Sequence, residues 1–480
     1  MLPTTVLPLL SIAALAAAAA PSLKLKTYVD AINLDFSFNP IIPSYWTGLP
    51  HHRRTPFALS PDGSVGYIAY LDASGSDVHV QHISTATMKA KGSTVTIPKV
   101  HEAGGLVGHT RGFALLGNEP IPASVANAPP GNTPVPAIYR YANGKQQWKT
   151  FVAGPGVHAS DGLSMAPDMN GDLVYSDAAE MYGAYFVVTD YSGFAEGHFG
   201  DSIQYVDSNG TLQTIAGASS SWGCSHNTGI AFEAADAPPY ASICAEDQGA
   251  IWLNTQTQGM TNDGVKISNE NTTNGASGEP MGGMGGSYSA LARFVNSTSY
   301  IFAWVSRGAV DLTTNDWMGE GYTHSLNRTN GRRTAIAILS DKDTLVGKEA
   351  TSTVGAANGD SQVNWMTPSE GPDRQNAHVA VFDDQHALVT WEEIASPSCE
   401  FVAMGCRGTF TGTYFQLVDK NGKKLGTPLK SMDTYVAGDM VTTKDGRICW
   451  PYVSMEWDLS GPVQGAAGVK KMSFACISLV

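Results

Sequence analysis

The feature that most constrains this chain is a repeated grammar of paired short strands. The stretches "PFALSPDGSVGYIAYLD" (56–72), "GLSMAPDMNGDLVYSDA" (162–178), "HVAVFDDQHALVTWEEI" (378–394) and "GDMVTTKDGRICWPYVS" (438–454) share one plan. Each joins an alternating strand to a second strand through a turn rich in Asp, Asn and Gly. A period of two sends successive side chains to opposite faces of a sheet, and the turn residues supply the backbone angles a hairpin needs. Looser copies occupy 229–247, 289–308 and 112–123, the last resuming at 137–152 after a Pro-rich insertion. Sustained 3.6-residue periodicity is scarce, so few helices are expected.

Seven hairpin openings can be placed, near residues 53, 109, 158, 226, 287, 376 and 437, at intervals of roughly 50–90 residues. Such a repeat has the length of four strands plus loops, which is one propeller blade. The reading is therefore all-β: a seven-bladed β-propeller of four-stranded antiparallel blades. A β-sandwich or two stacked β domains is the alternative. The segment 27–38 or the C-terminal 472–480 is expected to supply the strand that closes the ring, because an open edge invites aggregation. The Pro/Gly stretches at 127–136 and 278–287 are short and flanked by strand-like runs, so they read as loops within a single domain spanning 21–480.

Residues 1–20 end in small residues after a short apolar run and read as a signal peptide, although a basic start is missing and Pro21 blurs the cut site. Six cysteines fit an oxidising compartment, and the sequence-local pairings are Cys224 with Cys244, Cys399 with Cys406 and Cys449 with Cys476. N-x-S/T sequons stand at Asn209, Asn271, Asn296 and Asn327. The expectation is a secreted, extracellular monomer with no membrane anchor. A net charge of −14 argues against nucleic-acid and anionic-membrane surfaces, so an anionic ligand needs a local basic pocket.

In a propeller the innermost strand of each blade begins near the central axis, so the residues just before those strands converge on one funnel. Here the openings read "HHRRT" (51–55), "GHTRG" (108–112), "HASDG" (158–162), "CSHNTG" (224–229), "GGSYS" (285–289), "DRQNAH" (373–378) and "YVAGD" (435–439). A lectin with one sugar per blade should repeat its binding residues, whereas a single catalytic centre takes a different residue from each blade. These openings differ. Four of the twelve arginines sit there: Arg53, Arg54, Arg111 and Arg374 are candidates to bind a carboxylate. His109, His158 and His226 are candidates for proton transfer, with Tyr288 as a further proton donor. Asn227, Asn376 and Asp161 are candidates to hold sugar hydroxyls or orient a histidine. The ends of the second strands form a second ring that includes Asp177, Glu180, Arg307, Glu392 and Glu393. His378, one step into its strand, reads as a core residue.

Hydrolysis of a glycosidic bond normally requires two opposed carboxylates, and the first ring offers only Asp161 and Asp439. β-Elimination at a uronic acid instead requires neutralisation of the sugar carboxylate by arginine or a divalent cation, and a base such as histidine or tyrosine to take the C5 proton. The inventory favours elimination, with an exo-glycoside hydrolase or a non-catalytic glycan-binding propeller as alternatives.

The seven hairpins, the signal-like N-terminus and the openings "GHTRGFALL", "HASDGLSM" and "CSHNTGIAF" resemble the secreted fungal β-propeller polysaccharide lyases of the L-rhamnose-α-1,4-D-glucuronate lyase type. The resemblance is one of overall plan over most of the chain. It implies an exo-acting enzyme that releases terminal rhamnose from glucuronate on arabinogalactan or gum-arabic side chains and leaves a 4,5-unsaturated uronate. It also implies a divalent cation, calcium, near the central channel, for which no ligand set can be assigned from the residues. No organic cofactor is expected.

Overall fold

The computed structural model describes residues 21–43, 48–157, 163–165, 171–193, 196–197, 199–220, 229–246, 250–253, 264–270, 288–312, 325–329, 331–351, 353–355, 360–399, 406–463 and 467–480. These residues form a seven-bladed β-propeller. The innermost strands are, in order around the axis, Phe57–Leu59, Ala103–His109, Gly171–Ser176, Ile230–Glu233, Leu291–Arg293, Asp373–Val381 and Val441–Thr442. Each is hydrogen-bonded outward to antiparallel partners, as in the second blade, where Ala103–His109 is followed by Gly112–Pro120, Pro134–Ala142 and Lys145–Phe151. The only helical element among the described residues is a short 3-10 turn at Pro130–Asn132.

Both candidate closing segments act in one blade. Val469–Leu479 pairs with Ile448–Tyr452 on one side and with Leu23–Phe38 on the other, so the N-terminal strand becomes the outermost strand of the last blade. A chain segment from the start of the sequence thereby locks the end of it, and the ring needs no other seal. Cys449 and Cys476 face each other across two strands of this blade and are joined by a disulfide. A second disulfide links Cys399 to Cys406 in the sixth blade. Cys244 is also disulfide-bonded, and its expected partner Cys224 lies outside the described residues.

The core is divided among the seven contacts between neighbouring blades, each with its own apolar cluster. Between the first and second blades, for example, Tyr67, Val78, Val80, Leu106, Phe113 and Tyr139 interdigitate. This is sheet-on-sheet packing, in which alternate side chains from two facing sheets fill the gap.

Two hairpin expectations need correction. The 162–178 stretch is not a hairpin: Leu163–Met165 and Gly171–Ser176 both pair with Met181–Asp190, as two pieces of one inner edge. In the second blade the expected first strand, Gly112–Pro120, is in fact the second. The true innermost strand, Ala103–His109, carries Gly104, Gly105 and Gly108 and lacks a strand-like pattern. Its glycines answer to crowding at the axis: a Cβ on Gly105 would lie 2.5 Å from the Leu173 nitrogen, and one on Gly108 would lie 2.2 Å from the Leu59 oxygen.

Candidate functional site

The faces are defined by where the innermost strands begin, here called upper, and where they end, called lower. A channel of about 450 Å³ follows the axis and is lined by residues from all seven blades, including Leu59, Val107, Leu173, Glu233, Ala292, Ala380 and Met440.

At its upper end the channel meets Arg54. The guanidinium donates to the carboxylates of Asp439 (Nη2 to Oδ1 2.6 Å) and Asp172 (2.8 Å) and to the carbonyl oxygens of Gly104 (2.5 Å) and Gly171 (2.6 Å). Nε donates to Asp439 Oδ2, and the group lies 5.2 Å from the centre of the Tyr288 ring. All five N–H donors are thus engaged by protein. Burial alone would lower its pKa, but the charges of Asp439 and Asp172 outweigh this and hold it above the ordinary arginine value. Asp172 is pushed up to about 6, by burial and the Asp439 charge against the pull of Arg54. Arg54 therefore joins five blades across the axis rather than offering a free cation to a sugar.

Other upper-face residues are likewise committed. Arg53 pairs with Glu102 at 2.8 Å, and Arg374 with Glu393 at 3.3 Å. Tyr288 is buried, and its hydroxyl is 3.4 Å from the Val436 oxygen. Asn376 adopts a left-handed φ of 54° and donates to both Glu392 and the Val436 carbonyl, while its own oxygen is 2.7 Å from His378 Nε2. His378 is buried and stacked on Tyr288, as expected of a core residue, and burial lowers its pKa to about 4. Glu392, fully buried, also takes donors from His52 (2.8 Å), Gln375 and Trp457. Burial pushes Glu392 up, but His52, Asn376 and Gln375 together hold it below the usual carboxylate range.

His109 and Arg111 belong to the other face. Because Ala103–His109 is the innermost strand, His109 is its last residue and Arg111 sits in the lower turn, exposed. His109 Nε2 is 2.7 Å from the Tyr182 hydroxyl, with Tyr175 packed edge-on. Burial, then the Arg140 charge, lower its pKa to about 4. It cannot share a site with Tyr288, Arg374 or Asn376. Asp177 and Glu180, expected in the second ring, flank the lower turn between Ser176 and Met181 for the same reason. His158, Asp161, His226 and Asn227 lie outside the described residues.

The upper ends of the fifth and sixth blades gather Arg307, Arg328, Arg332, Arg333 and Arg374, of which sequence reasoning marked only Arg307 and Arg374. Three of these are matched by carboxylates: Arg328 by Asp360, Arg332 by Asp373 (Nη2 to Oδ2 2.5 Å) and Arg374 by Glu393. Two are not matched among the described residues. Arg307 Nε is buried without a hydrogen-bond partner, and its pKa is lowered by burial and by the neighbouring Arg332, against the pull of Asp373. Arg333 donates from Nε to the Thr367 carbonyl and lies 4.3 Å from the centre of the Trp365 ring, and burial together with Arg374 and Arg328 lowers its pKa. Ser306 and Arg333 are paired across adjacent strands, and Arg307 follows Ser306 in the chain with Arg332 and Asp373 as its charged neighbours. Glu270 fixes the same corner: it receives Ser306 Oγ, Trp304 Nε1 and Ser268 Oγ, and burial raises it to about 7.

The described residues do not fit the expected cation near the channel. Asp172 and Asp439, the carboxylates at its upper end, already hold the guanidinium of Arg54. The one cluster of metal-type ligands among the described residues joins Asp373 to Cys399 and Cys406, whose sulfurs are bonded to each other.

No family model and no curated protein matches the chain. Solved structures similar to it include the WD40 domain of Toxoplasma gondii coronin, at 8% identity and a TM-score of 0.40 over 96% of this chain and 88% of that one. An ulvan lyase of a polysaccharide lyase family, bound to a -[GlcA(1-4)Rha3S]- ligand, matches at 9% identity and 0.35 over 86% and 79%. The α-L-arabinofuranosidase of Fusarium graminearum matches at 9% and 0.37 over 92% and 98%. At these values the likenesses carry no argument about what this chain does.

Proposed function

We propose that this protein is a secreted lyase that cleaves acidic plant glycans by β-elimination at glucuronate, releasing terminal L-rhamnose from arabinogalactan or gum-arabic side chains. The observation that carries the reading is the pair Arg307 and Arg333, two guanidinium groups without carboxylate partners among the described residues, in a chain of net charge −14. An excess of fixed positive charge at one corner suits an anionic group, and guanidinium binds a carboxylate through paired donors. In elimination the carboxylate gathers charge as the C5 proton leaves, so donors already in place lower the barrier. In this reading one of the two, Arg307 or Arg333, holds the carboxylate. His158 and His226, in segments that lead into the upper-face strands at Leu163 and Ile230, are the base and acid candidates. The hydrolase alternative is weakened because Asp439, one of its two expected carboxylates, is engaged by Arg54.

The test is incubation of the purified protein with gum arabic, following ultraviolet absorbance of an unsaturated uronate and free rhamnose by chromatography. Both signals are expected. Rhamnose without absorbance would replace elimination with hydrolysis, and binding without either product would leave a lectin.

A further inference from the structure

Four sequons stand in the sequence, and two of them, at Asn209 and Asn296, lie in described turns. Asn209-Gly210-Thr211 forms the turn between Phe199–Asp207 and Leu212–Gln213, and Asn296-Ser297-Thr298 lies in the turn between Leu291–Arg293 and Tyr300–Ser306. Both turns are on the lower face, both asparagines are exposed, and neither amide side chain makes a hydrogen bond among the described residues.

The backbone beneath each asparagine is pinned. Asp207 accepts from the Asn209 and Thr211 amides, both at 2.9 Å, and Gly210, at φ 88°, packs on the Trp148 indole, where a Cβ would come within 2.6 Å of the ring. Trp148 Nε1 donates to the Ser208 carbonyl, so a half-exposed aromatic stands next to Asn209 as a platform for a first sugar. Asn296 occupies the left-handed region at φ 51°, and Arg293 Nε donates to the Ser297 carbonyl at 2.7 Å. A sugar added at either position displaces no packing and orders no loose loop.

We infer that Asn209 and Asn296 both carry N-linked glycans. In the modification, Asn Nδ2 bonds to the anomeric carbon of an N-acetylglucosamine as the bond from that carbon to a lipid diphosphate breaks. The amide proton is lost and the diphosphate leaves. The inference rests on reading the chain as a secreted glycan-degrading enzyme.

The full chain is expressed in a eukaryotic host in two forms, one with its own N-terminus and one behind a host secretion leader, and glycopeptides are mapped by mass spectrometry. With the host leader, glycans are expected at both sites, and Asn209→Gln and Asn296→Gln should each remove one glycan-sized mass. Secreted protein with both asparagines unmodified would overturn the inference. Retention of the native form inside the cell, with both sites occupied when the host leader is used, would sink the secretion reading, and the two turns would then accept glycans only when the chain is exported.

Discussion

Arg54→Met offers the sharpest test of how the seven blades are held around the axis. In the native protein one guanidinium answers a buried carboxylate, a partly buried one and two carbonyl oxygens from other blades. Methionine fills much of the volume but leaves Asp172 and Asp439 facing each other, each with a single backbone donor, from Leu173 and Phe57 respectively. Removing one partner of a buried ion pair typically costs about 3–5 kcal/mol. At about 2.1 cal/mol/K per residue, unfolding entropy for a chain of this length is about 1 kcal/mol/K, so the expected fall in melting temperature is about 3–5 °C. The sign of the pH dependence is fixed by Asp172. Its pKa is raised from 3.8 to about 6 even beside Arg54, so its stabilising contribution is complete below 3.8 and is lost as pH rises through about 6. Without the arginine that loss deepens, and the deficit of the variant should be small in acid and grow on the alkaline side of 6. Thermal unfolding followed by circular dichroism across this range reads it directly. A triple variant that adds Asp172→Asn and Asp439→Asn should recover most of the loss, since no unpaired charge remains. Equal melting temperatures for wild type and Arg54→Met on both sides of the transition would refute the account.

Other expectations follow from the same contacts. Arg333→Leu or Arg307→Leu should lower kcat/KM on gum arabic about a hundredfold with the circular dichroism spectrum unchanged, the usual scale for loss of one preorganised donor; activity at the wild-type level would remove these residues from the site. Glu392→Gln should destabilise by about 1.5–3 kcal/mol at neutral pH. Because the native carboxyl is held below its ordinary value, the gap to wild type should close as pH falls through the carboxylate range, as read by melting curves. His109 is lowered from 6.5 to about 4, so its contribution is present above 6.5 and lost as pH drops towards 4; His109→Asn should flatten that part of the stability profile without abolishing activity. Deleting Leu23–Phe38 should expose the Val469–Leu479 edge and give aggregation visible by light scattering.

The architecture was legible because hairpin grammar depends on local alternation and turn chemistry, both written in contiguous residues. The openings near 53, 226, 287, 376 and 437 fall within about five residues of innermost strands. The arginine corner was half legible: Arg307 and Arg374 could be marked from strand ends, whereas Arg333 begins a third strand and carries no opening signal of its own. Nor could the sequence tell which arginines are free. Arg53, Arg54 and Arg374 find carboxylates 49, 385 and 19 residues away in the chain. Those distances reflect ring closure and strand pairing, not local pattern.

The displacement of His109 has a more general cause. Any two consecutive strands of an antiparallel blade make a hairpin, so the first and second strands look like the second and third. When the innermost strand is rich in glycine, as Ala103–His109 is because neighbouring backbones crowd the axis, its pattern fades and the reading slips outward by one strand. Successive strands run in opposite directions, so this slip carries a residue from one face of the propeller to the other. His109 and Arg111 were moved in this way, although the blade count was unaffected. The signal that could have prevented it is the glycine spacing itself. A short run with glycines at 104, 105 and 108, ahead of a strong hairpin, is a poor strand by propensity and a good one for close approach at an axis.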